Sequence, residues 1–355
     1  MTDQGVVVSC RLRGLSVSEQ VSGQSEAFYT DPQDSTRLTA AETGHAFHFD
    51  HVLPAEASQQ DLFDAIGRPC VRDFVLGYNC TILAYGQTGS GKTHSTIGGG
   101  EDNSSGLLPR IFEALFQETN GDGVTVSASF VEVYQERLRD LLRPRSSGVS
   151  SMRIREGADG MWIDGATEVS LSDLGMARAV MKRGLAQRAV GTTGMNHDSS
   201  RSHAVFILTR IQTTAVTRVR ARLCVVDLAG SEQAKKTQAS GVRLEEAKFI
   251  NRSLSALGNV IHALISGPAN ADGRPTYVPY RDSKLTRLLQ SSLGGNAKTH
   301  LLLTCAVASC YTDESLSTLR FGARAKQMEN RPTVNTSPTN TNNTAAVMET
   351  LQRKM

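Results

Sequence analysis

A glycine-rich segment at residues 86–93, GQTGSGKT, constrains this chain more than any other feature. It follows an apolar run at residues 81–85 that predicts a β-strand, and the residues after it suit a helix. In such a loop successive backbone N–H groups point at a phosphate, and glycine lets the backbone come close to it. The segment therefore predicts a nucleoside triphosphate site. A glycine-rich turn between strand and helix that binds nothing is the simpler alternative.

The spacing of this loop assigns a role to its last two residues. Lys92 is placed to reach the β- and γ-phosphate oxygens, and the Thr93 hydroxyl is placed to ligate Mg²⁺. The predicted nucleotide contacts within the loop are Gly86, Gln87, Thr88, Gly89, Ser90, Gly91, Lys92 and Thr93.

Composition limits the class of protein. With 355 residues and 39% hydrophobic residues, the chain can bury the core of one large α/β domain or of two ordinary ones. A formal net charge of +3 is too small to indicate a nucleic-acid partner by itself. No apolar run approaches the roughly 20 residues of a membrane span, and the N-terminus has no signal-peptide pattern. We therefore expect an intracellular protein without membrane insertion, with its six scattered cysteines reduced.

Strand-like and helix-like segments alternate along the chain, which predicts an α/β sandwich of three layers. Strands are predicted at residues 6–13, 81–85, 124–134, 204–213, 218–227 and 301–307. Helices are predicted at residues 59–76, 172–187, 242–265, 282–293 and 313–328. In the 242–265 helix, apolar side chains recur at helical spacing and predict one buried face, formed by Ile250, Leu254, Leu257, Ile261 and Leu264. Loops are predicted at residues 98–106, 143–151 and 267–275.

Two further segments have the residue types that sense a γ-phosphate. In DLAGSE, residues 227–232, Asp227 ends a predicted strand and suits a water-mediated contact to Mg²⁺, while the Gly230 amide can bond the γ-phosphate. In NHDSSRSH, residues 196–203, Ser202 is a second candidate Mg²⁺ ligand, and Ser199 or Ser200 can hold the γ-phosphate and the attacking water. A plain strand-to-loop turn and a polar surface loop are the respective alternatives.

Together these three segments resemble the P-loop, switch I and switch II of the kinesin motor domain. The likeness runs from about residue 6 to residue 335 and includes VEVYQERLRDLL, INRSLSALGNVI and VPYRDSKLTRLLQSSLGGN. It implies a three-layer α/β/α P-loop NTPase sandwich with a central mixed sheet, binding ATP or ADP with Mg²⁺. The second half looks most like conventional kinesin, whose motor is N-terminal. Myosins use different switch strings, and no Lys-Val-Asp tip of a depolymerising kinesin occurs in residues 15–49.

The resemblance also implies roles in hydrolysis. Arg201 and Glu232 would form an ion pair between the switches when ATP is bound, closing the site and helping to relay a proton. An ordinary surface pair worth roughly 0–1 kcal/mol is the alternative. The implied catalytic set is Glu232, Arg201, Ser200, Ser199, Asn196 and Gly230.

The resemblance implies that the adenine base of the nucleotide lies against Arg11, Arg13 and His94. In this chain Gly14 stands where the family's RxRP segment has proline, which puts the detailed adenine cradle in doubt. For His94, a plain position on the helix surface is the alternative to stacking on adenine.

Basic residues are concentrated in two stretches. Residues 233–252 contain five basic and two acidic side chains, net +3, and residues 274–300 contain five and one, net +4. A solvated face is the ordinary reading of such stretches. The resemblance instead implies contact with acidic tubulin through Lys235, Lys236, Lys248, Arg252, Arg281, Lys284 and Arg287.

The resemblance divides the chain into a motor domain at residues 1–328, a neck linker at 329–338 and a flexible Thr/Asn-rich segment at 339–355. Asn330 and Val334 would dock the linker, and a plain flexible tail is the alternative. Met348, Leu351 and Met355 have the spacing of a coiled-coil start, which would permit a homodimer beyond residue 345. We expect a microtubule-stimulated, plus-end-directed ATPase in the cytoplasm and cytoskeleton. A microtubule tether with slow ATPase is the alternative.

Overall fold

The computed structural model describes residues 5–99, 104–118, 123–144, 152–157, 160–192, 199–232, 242–266 and 277–339. Within these ranges the description excludes the side chains at residues 190–192, 199 and 242–251. The strands in chain order are β1 (Val7–Arg13), β2 (Phe28–Asp31), β3 (Asp34–Ala40), β4 (Ala46–His48), β5 (His51–Leu53), β6 (Cys80–Tyr85), β7 (Val124–Tyr134), β8 (Arg137–Asp140), β9 (Arg153–Gly157), β10 (Gly160–Asp164), β11 (Val169–Ser170), β12 (His203–Thr213), β13 (Thr217–Asp227), β14 (Lys298–Ala306) and β15 (Thr336–Pro338). The α-helices are α1 (Val17–Val21), α2 (Gln59–Leu62), α3 (Arg68–Val75), α4 (Lys92–Thr96), α5 (Leu107–Glu118), α6 (Leu174–Thr192), α7 (Val242–Ile265), α8 (Lys284–Leu288) and α9 (Thr312–Ala325).

The described strands build one ten-stranded mixed sheet and two small accessory sheets. In the large sheet the order is β11-β7-β12-β13-β6-β14-β1-β5, with β8 beside β7 and β15 beside β13. Strands β13, β6, β14 and β1 run parallel, whereas β7, β12 and β13 are antiparallel neighbours. The carboxyl ends of β1, β6 and β13 therefore meet at one edge of the sheet, where ligands bind in open α/β sheets. The expected central mixed sheet is confirmed.

Two apolar cores cover the two faces of this sheet, which confirms the three layers. One core includes side chains of α7, α8 and α9, and the other includes side chains of α2, α3, α5 and α6. On α7 the predicted buried face is correct at Leu254, Leu257 and Ile261, which are 9%, 1% and 4% exposed. Leu264 is half-buried against the same core, and the side chain of Ile250 lies outside the description.

The predicted helix over residues 59–76 is interrupted. A π-helical turn at Phe63–Gly67 separates α2 from α3. Pro69 has no N–H to donate and its ring would crowd the carbonyl four residues earlier, so a wider turn before it relieves the conflict. Gly67 is needed there because a Cβ would contact the Phe63 ring.

The predicted helix over residues 282–293 is also wrong in extent, since α8 covers only Lys284–Leu288. Ser283 is extended, with φ −144° and ψ 150°, and its side chain accepts from the Leu285 N–H at 3.1 Å. Ser283 is therefore an N-cap, and α8 begins after it, inside the span that the pattern predicted as one helix. Two 3₁₀ turns, Tyr280–Asp282 and Gln290–Ser292, flank α8. The predicted helix over 313–328 ends at Ala325.

Helix α5 was not predicted, although its sequence has a helical signal. Leu107, Leu108, Ile111, Phe112 and Leu115 are all at most 1% exposed and follow helical spacing. Of the predicted loops, 98–106 is closed by a bridge between Gly98 and Ser105, and 143–151 and 267–275 fall mostly outside the described residues. No helix in the described part of the chain is both long and apolar enough to cross a bilayer.

Candidate functional site

The glycine-rich loop connects the buried central strand β6 to α4, as the sequence predicts. Gly89 and Gly91 have φ of 79° and 106°, in the left-handed region that favours glycine. A Cβ on Gly86 would collide with the Thr304 carbonyl oxygen. Because the backbone needs this curvature and this approach, the three glycines fix the shape of the loop. The loop borders a pocket of about 430 Å³.

Lys92 lies at the start of α4 and is only 7% exposed. Its ammonium donates to the carbonyls of Gly86 and Gln87, each at 2.8 Å. Burial lowers the pKa of Lys92, and the nearby carboxylates of Asp227 and Glu232 oppose that shift. Lys92 therefore brings a desolvated positive charge to the inner edge of the loop.

Thr93 and Asp227 meet at the place predicted for Mg²⁺. The Thr93 hydroxyl donates to Asp227 Oδ2 at 2.8 Å, and both residues line the pocket. Asp227 Oδ1 is buried and has no hydrogen-bond partner among the described residues. A buried carboxylate oxygen needs a partner, and oxygen ligands with bound water suit Mg²⁺. The residues present therefore fit a hydrated magnesium ion.

A buried arginine that the sequence did not single out holds Asp227 in place. Arg188 of α6 is 5% exposed, and its Nη1 lies 3.0 Å from Asp227 Oδ2. Its Nη2 donates to the Ser202 carbonyl at 3.1 Å, and its Nε lies 3.8 Å from Glu132 Oε1. Glu132 in turn pairs with Arg139 at 3.2 Å. Arg188 lies in a helix that no motif marked, and Glu132 lies in the VEVYQERLRDLL segment, which gave it no role in the site.

The predicted switch I residues are only partly described. Ser200 lines the pocket, and Ser199 and Arg201 lie with it in a 3₁₀ turn. Ser202, predicted to ligate Mg²⁺, donates its hydroxyl to Glu132 Oε1 at 2.8 Å. Asn196 lies outside the described residues.

The loop after β13 is held by its own backbone amides. The N–H groups of Leu228, Gly230 and Ser231 donate to the carbonyls of Ala84 at 3.3 Å, Ser200 at 2.8 Å and Gly86 at 3.1 Å. The N–H of Ala229 donates instead to the ring Nδ1 of His203 at 3.0 Å. One short loop thus contacts the strand before the P-loop, the P-loop itself and switch I.

Glu232 closes this loop onto the P-loop. Its carboxylate accepts from the Thr88 N–H at 2.8 Å and also from the Thr88 hydroxyl. A Cβ on Gly230 would contact the Glu232 carboxylate and the Thr88 hydroxyl, so a larger residue there would displace this closing contact. The predicted pairing of Glu232 with Arg201 concerns the ATP-bound state and stays a prediction.

On the side predicted for the base, the pocket is lined by Arg11, Arg13, Gly14 and His94. Arg11 donates to Gln59 Oε1 at 2.9 Å and Ser95 Oγ at 3.1 Å, and Gln59 donates to the His94 carbonyl at 2.8 Å. These contacts fix the Arg11 guanidinium in the wall of the pocket.

Arg13 makes a bidentate pair with Glu19 of α1, at 2.7 and 3.0 Å. This pair lowers the pKa of Glu19 to about 2. At Gly14, a Cβ would lie 3.3 Å from the Cβ of Ala55. The chain therefore has little room for a side chain at the position where the family has proline.

The predicted microtubule contacts that are described lie on α7, α8 and the turn before α8, which share one core face. Arg252, Arg281 and Lys284 are exposed and Arg287 is half-buried. Lys248 lies in α7 with its side chain outside the description, and Lys235 and Lys236 lie outside the described residues. Glu136 accepts from the Ser283 hydroxyl at 2.8 Å and the Lys284 N–H at 2.6 Å, which holds the start of α8.

Residues 329–339 lie along the sheet. Asn330 is 1% exposed and donates to Ala297 O at 2.7 Å, Thr299 Oγ1 at 2.9 Å and Ser292 O at 3.1 Å, while it accepts from Gly294 N at 2.8 Å. Val334 bridges Tyr78, and β15 pairs antiparallel with β13. The segment is therefore ordered on the core through its side chains and its backbone.

Residues 11–328 match the family profile described as the kinesin motor domain. The chain is 42% identical to kinesin-related protein 3 of Dictyostelium discoideum and to the kinesin heavy chain of Botryotinia fuckeliana, over 92% and 93% of its length. It spans only 28% and 38% of those two proteins. It is also similar to a solved structure titled as that of a fast kinesin, with a TM-score of 0.84, 41% identity and 94% of each chain covered.

Proposed function

Because the chain belongs to the kinesin motor domain family, we propose that it is a microtubule-stimulated ATPase that moves along microtubules. The observation that carries this proposal is the loop at residues 228–232, whose amides and Glu232 side chain touch both switch I and the P-loop. A loop that contacts both the P-loop and switch I is suited to sense whether ATP or ADP is bound.

We propose that ATP or ADP binds with Mg²⁺ in the pocket beside the P-loop. Thr93 would hold the ion directly and Asp227 through water, while Lys92 and the loop amides bind the phosphates. When bound, the ion neutralises charge on the β- and γ-phosphates. Arg188 supports this role because it holds Asp227 in one orientation. Arg201 and Glu232 would pair on closure, which makes hydrolysis wait for ATP.

The track surface is proposed to comprise the basic side chains of α7, α8 and the turn before α8. Exposed cations on one face suit the acidic surface of tubulin, and their attraction weakens with salt. Replacing both Lys284 and Arg287 by Ala should raise the microtubule concentration needed for half-maximal ATPase at low salt. An Arg68→Ala variant, whose exposed arginine lies in the opposite layer, should leave it unchanged. An unchanged value in the double variant would refute this surface.

Residues 329–338 are proposed to act as the neck linker. Their contacts to the core support this role, since a segment that docks in one nucleotide state and frays in another can transmit force. A motor domain that is followed in the chain by such a linker suits plus-end-directed movement in the cytoplasm. A coiled coil beyond residue 345 would allow a homodimer.

Steady-state ATPase with and without microtubules tests the proposal. A motor should show turnover stimulated at least tenfold by saturating microtubules, because track binding accelerates the slow step of the cycle. Slow turnover with little stimulation, together with nucleotide-dependent binding, would instead indicate a tether. No binding of microtubules in any nucleotide state would refute both.

A further inference from the structure

A buried imidazole links the loop at residues 228–232 to the long helix α7. His203, the first residue of β12, is 2% exposed. Its Nδ1 lies 3.0 Å from the Ala229 backbone nitrogen, and its Nε2 lies 2.8 Å from Ser253 Oγ on α7. Ser253 is itself 3% exposed. Both ring nitrogens therefore have partners, and the partners belong to two different elements.

The donors and acceptors fix the state of this ring. A backbone N–H can only donate, so Nδ1 must carry a lone pair and the ring must be neutral. The single ring proton then lies on Nε2, which donates to the Ser253 hydroxyl oxygen. Burial, with the charges of Arg188 and Lys92, lowers the pKa of His203 to about 3, in agreement with a neutral ring.

The Ala229 contact differs from its neighbours in the same loop. The N–H groups of Leu228, Gly230 and Ser231 donate to backbone carbonyls of elements around the phosphate site. Ala229 donates to a side chain, and that side chain continues to α7. Because an imidazole is rigid and planar, its two hydrogen bonds set the distance between the loop and the helix.

We propose that His203 is a positioning residue that couples the loop at 228–232 to α7. A movement of the loop would then shift or break the contact to Ser253, so the nucleotide state would reach the helix that carries Arg252. The same contact would let microtubule binding at α7 act back on the loop. This role rests on the proposed microtubule-stimulated ATPase.

The test is the Ser253→Ala variant, which removes the hydroxyl without touching the nucleotide pocket. One hydrogen bond contributes about two- to tenfold to an equilibrium constant. We expect the ratio of microtubule-stimulated to basal turnover to fall about tenfold, with basal turnover and ADP affinity within about twofold of wild type. Ser255→Ala, the same change at an exposed position of α7, is the matched control. Equal stimulation in the two variants would overturn the coupling role.

A second measurement does not depend on motor activity. Nitrogen-15 NMR of the His203 ring in the unmodified protein should show the neutral form protonated at Nε2. A ring protonated at Nδ1, or at both nitrogens, would overturn the contact itself. If Ser253→Ala does not fold, Ser253→Cys replaces it, because cysteine has nearly the same size and is a weaker acceptor. The stimulation of its ATPase by microtubules is then compared with that of Ser255→Ala. If microtubules do not stimulate the ATPase of the wild-type protein, the proposed function is refuted. The protonation state of the His203 ring would still show whether its contacts to Ala229 and Ser253 exist.

Discussion

Arg188 carries a permanent charge at a position where 5% of its side chain is exposed. Desolvating a guanidinium costs several kcal/mol, and the chain offsets this with Asp227, Glu132 and the Ser202 carbonyl. These partners belong to β13, β7 and the switch I segment. A single side chain therefore sets the relative positions of three parts of the site.

Replacing Arg188 by Ala should lower the free energy of unfolding by about 3–5 kcal/mol, because the buried carboxylate of Asp227 would lose its ion-pair partner and Glu132 would keep only Arg139. The matched control is Arg178→Ala on the same helix, whose pair with Glu113 is largely exposed, at 47% and 39%. That change should cost about 0–1 kcal/mol. Urea titration of both variants measures the difference, and equal losses would contradict the structural role of Arg188.

The contact of Glu232 with the P-loop and the role proposed for it in turnover can be separated by substitution. Glu232→Ala should leave nucleotide binding intact and reduce turnover by at least about a hundredfold, as expected for loss of a proton relay. Glu232→Gln retains an oxygen that can accept from the Thr88 N–H, so it should preserve the contact to the P-loop and still lose turnover. ATPase rates and nucleotide affinities of the two variants test this. Near-normal ATPase in Glu232→Ala would refute the catalytic role.

At the scale of elements, the segment at residues 329–338 is anchored to the core by a side chain that is 1% exposed, Asn330. Asn330→Ala would leave the Gly294 N–H and the carbonyls of Ser292 and Ala297 without this partner. Each unsatisfied buried group costs about 1–3 kcal/mol. We expect amide hydrogen exchange of Thr336 and Ser337, the two residues of β15 that have a backbone N–H, to become at least about tenfold faster, because β15 would leave β13 more often. Gln327→Ala, at an exposed position just before the linker, is the control, and equal exchange in both variants would contradict this account.

The long periodic elements could be predicted from the sequence, and the breaks in them could not. The apolar spacing in α7 was sufficient to predict its buried face at Leu254, Leu257 and Ile261. The interruption before α3 depends on how Pro69 and Gly67 fit against Phe63, which is a tertiary contact. Ser283 interrupts a periodic pattern because its own side chain begins a new helix. Helix α5 was missed although its apolar spacing was available.

At the scale of the whole molecule, stability should depend on pH through a buried histidine outside the site. Burial, with the charges of His51 and Lys298, lowers the pKa of His300 from 6.5 to about 4. Between these values the unfolded chain binds a proton that the native chain does not. The stabilisation is therefore complete above pH 6.5 and is lost as the pH falls toward 4, with a slope of up to about 1.4 kcal/mol per pH unit.

Replacing His300 by Gln should remove this part of the pH dependence. Urea titrations at several values between pH 4.5 and 6.5, all inside that window, should show a smaller slope than in wild type. His262→Gln, at an exposed position near the end of α7, should leave the slope unchanged. The same slope in all three proteins would contradict the assignment to His300.

The sequence motifs predict part of the candidate site. The P-loop, switch I and switch II strings were sufficient to predict that Thr93, Asp227 and Ser200 line one pocket. Arg188, Glu132 and Gln59 also hold residues of the site in position, yet they lie in regular helix and strand segments. Glu132 reaches the loops because β7, β12 and β13 lie side by side in the sheet, and Arg188 and Gln59 reach them because α6 and α2 pack against one face of that sheet. Sequence spacing does not contain that information.

We propose that nucleotide hydrolysis in this pocket drives directed movement along a track. Gliding of polarity-marked microtubules over surface-attached protein tests it most directly. We expect ATP-dependent gliding with the minus end leading, as a plus-end-directed motor requires. Microtubules that bind without gliding in ATP would contradict the claim.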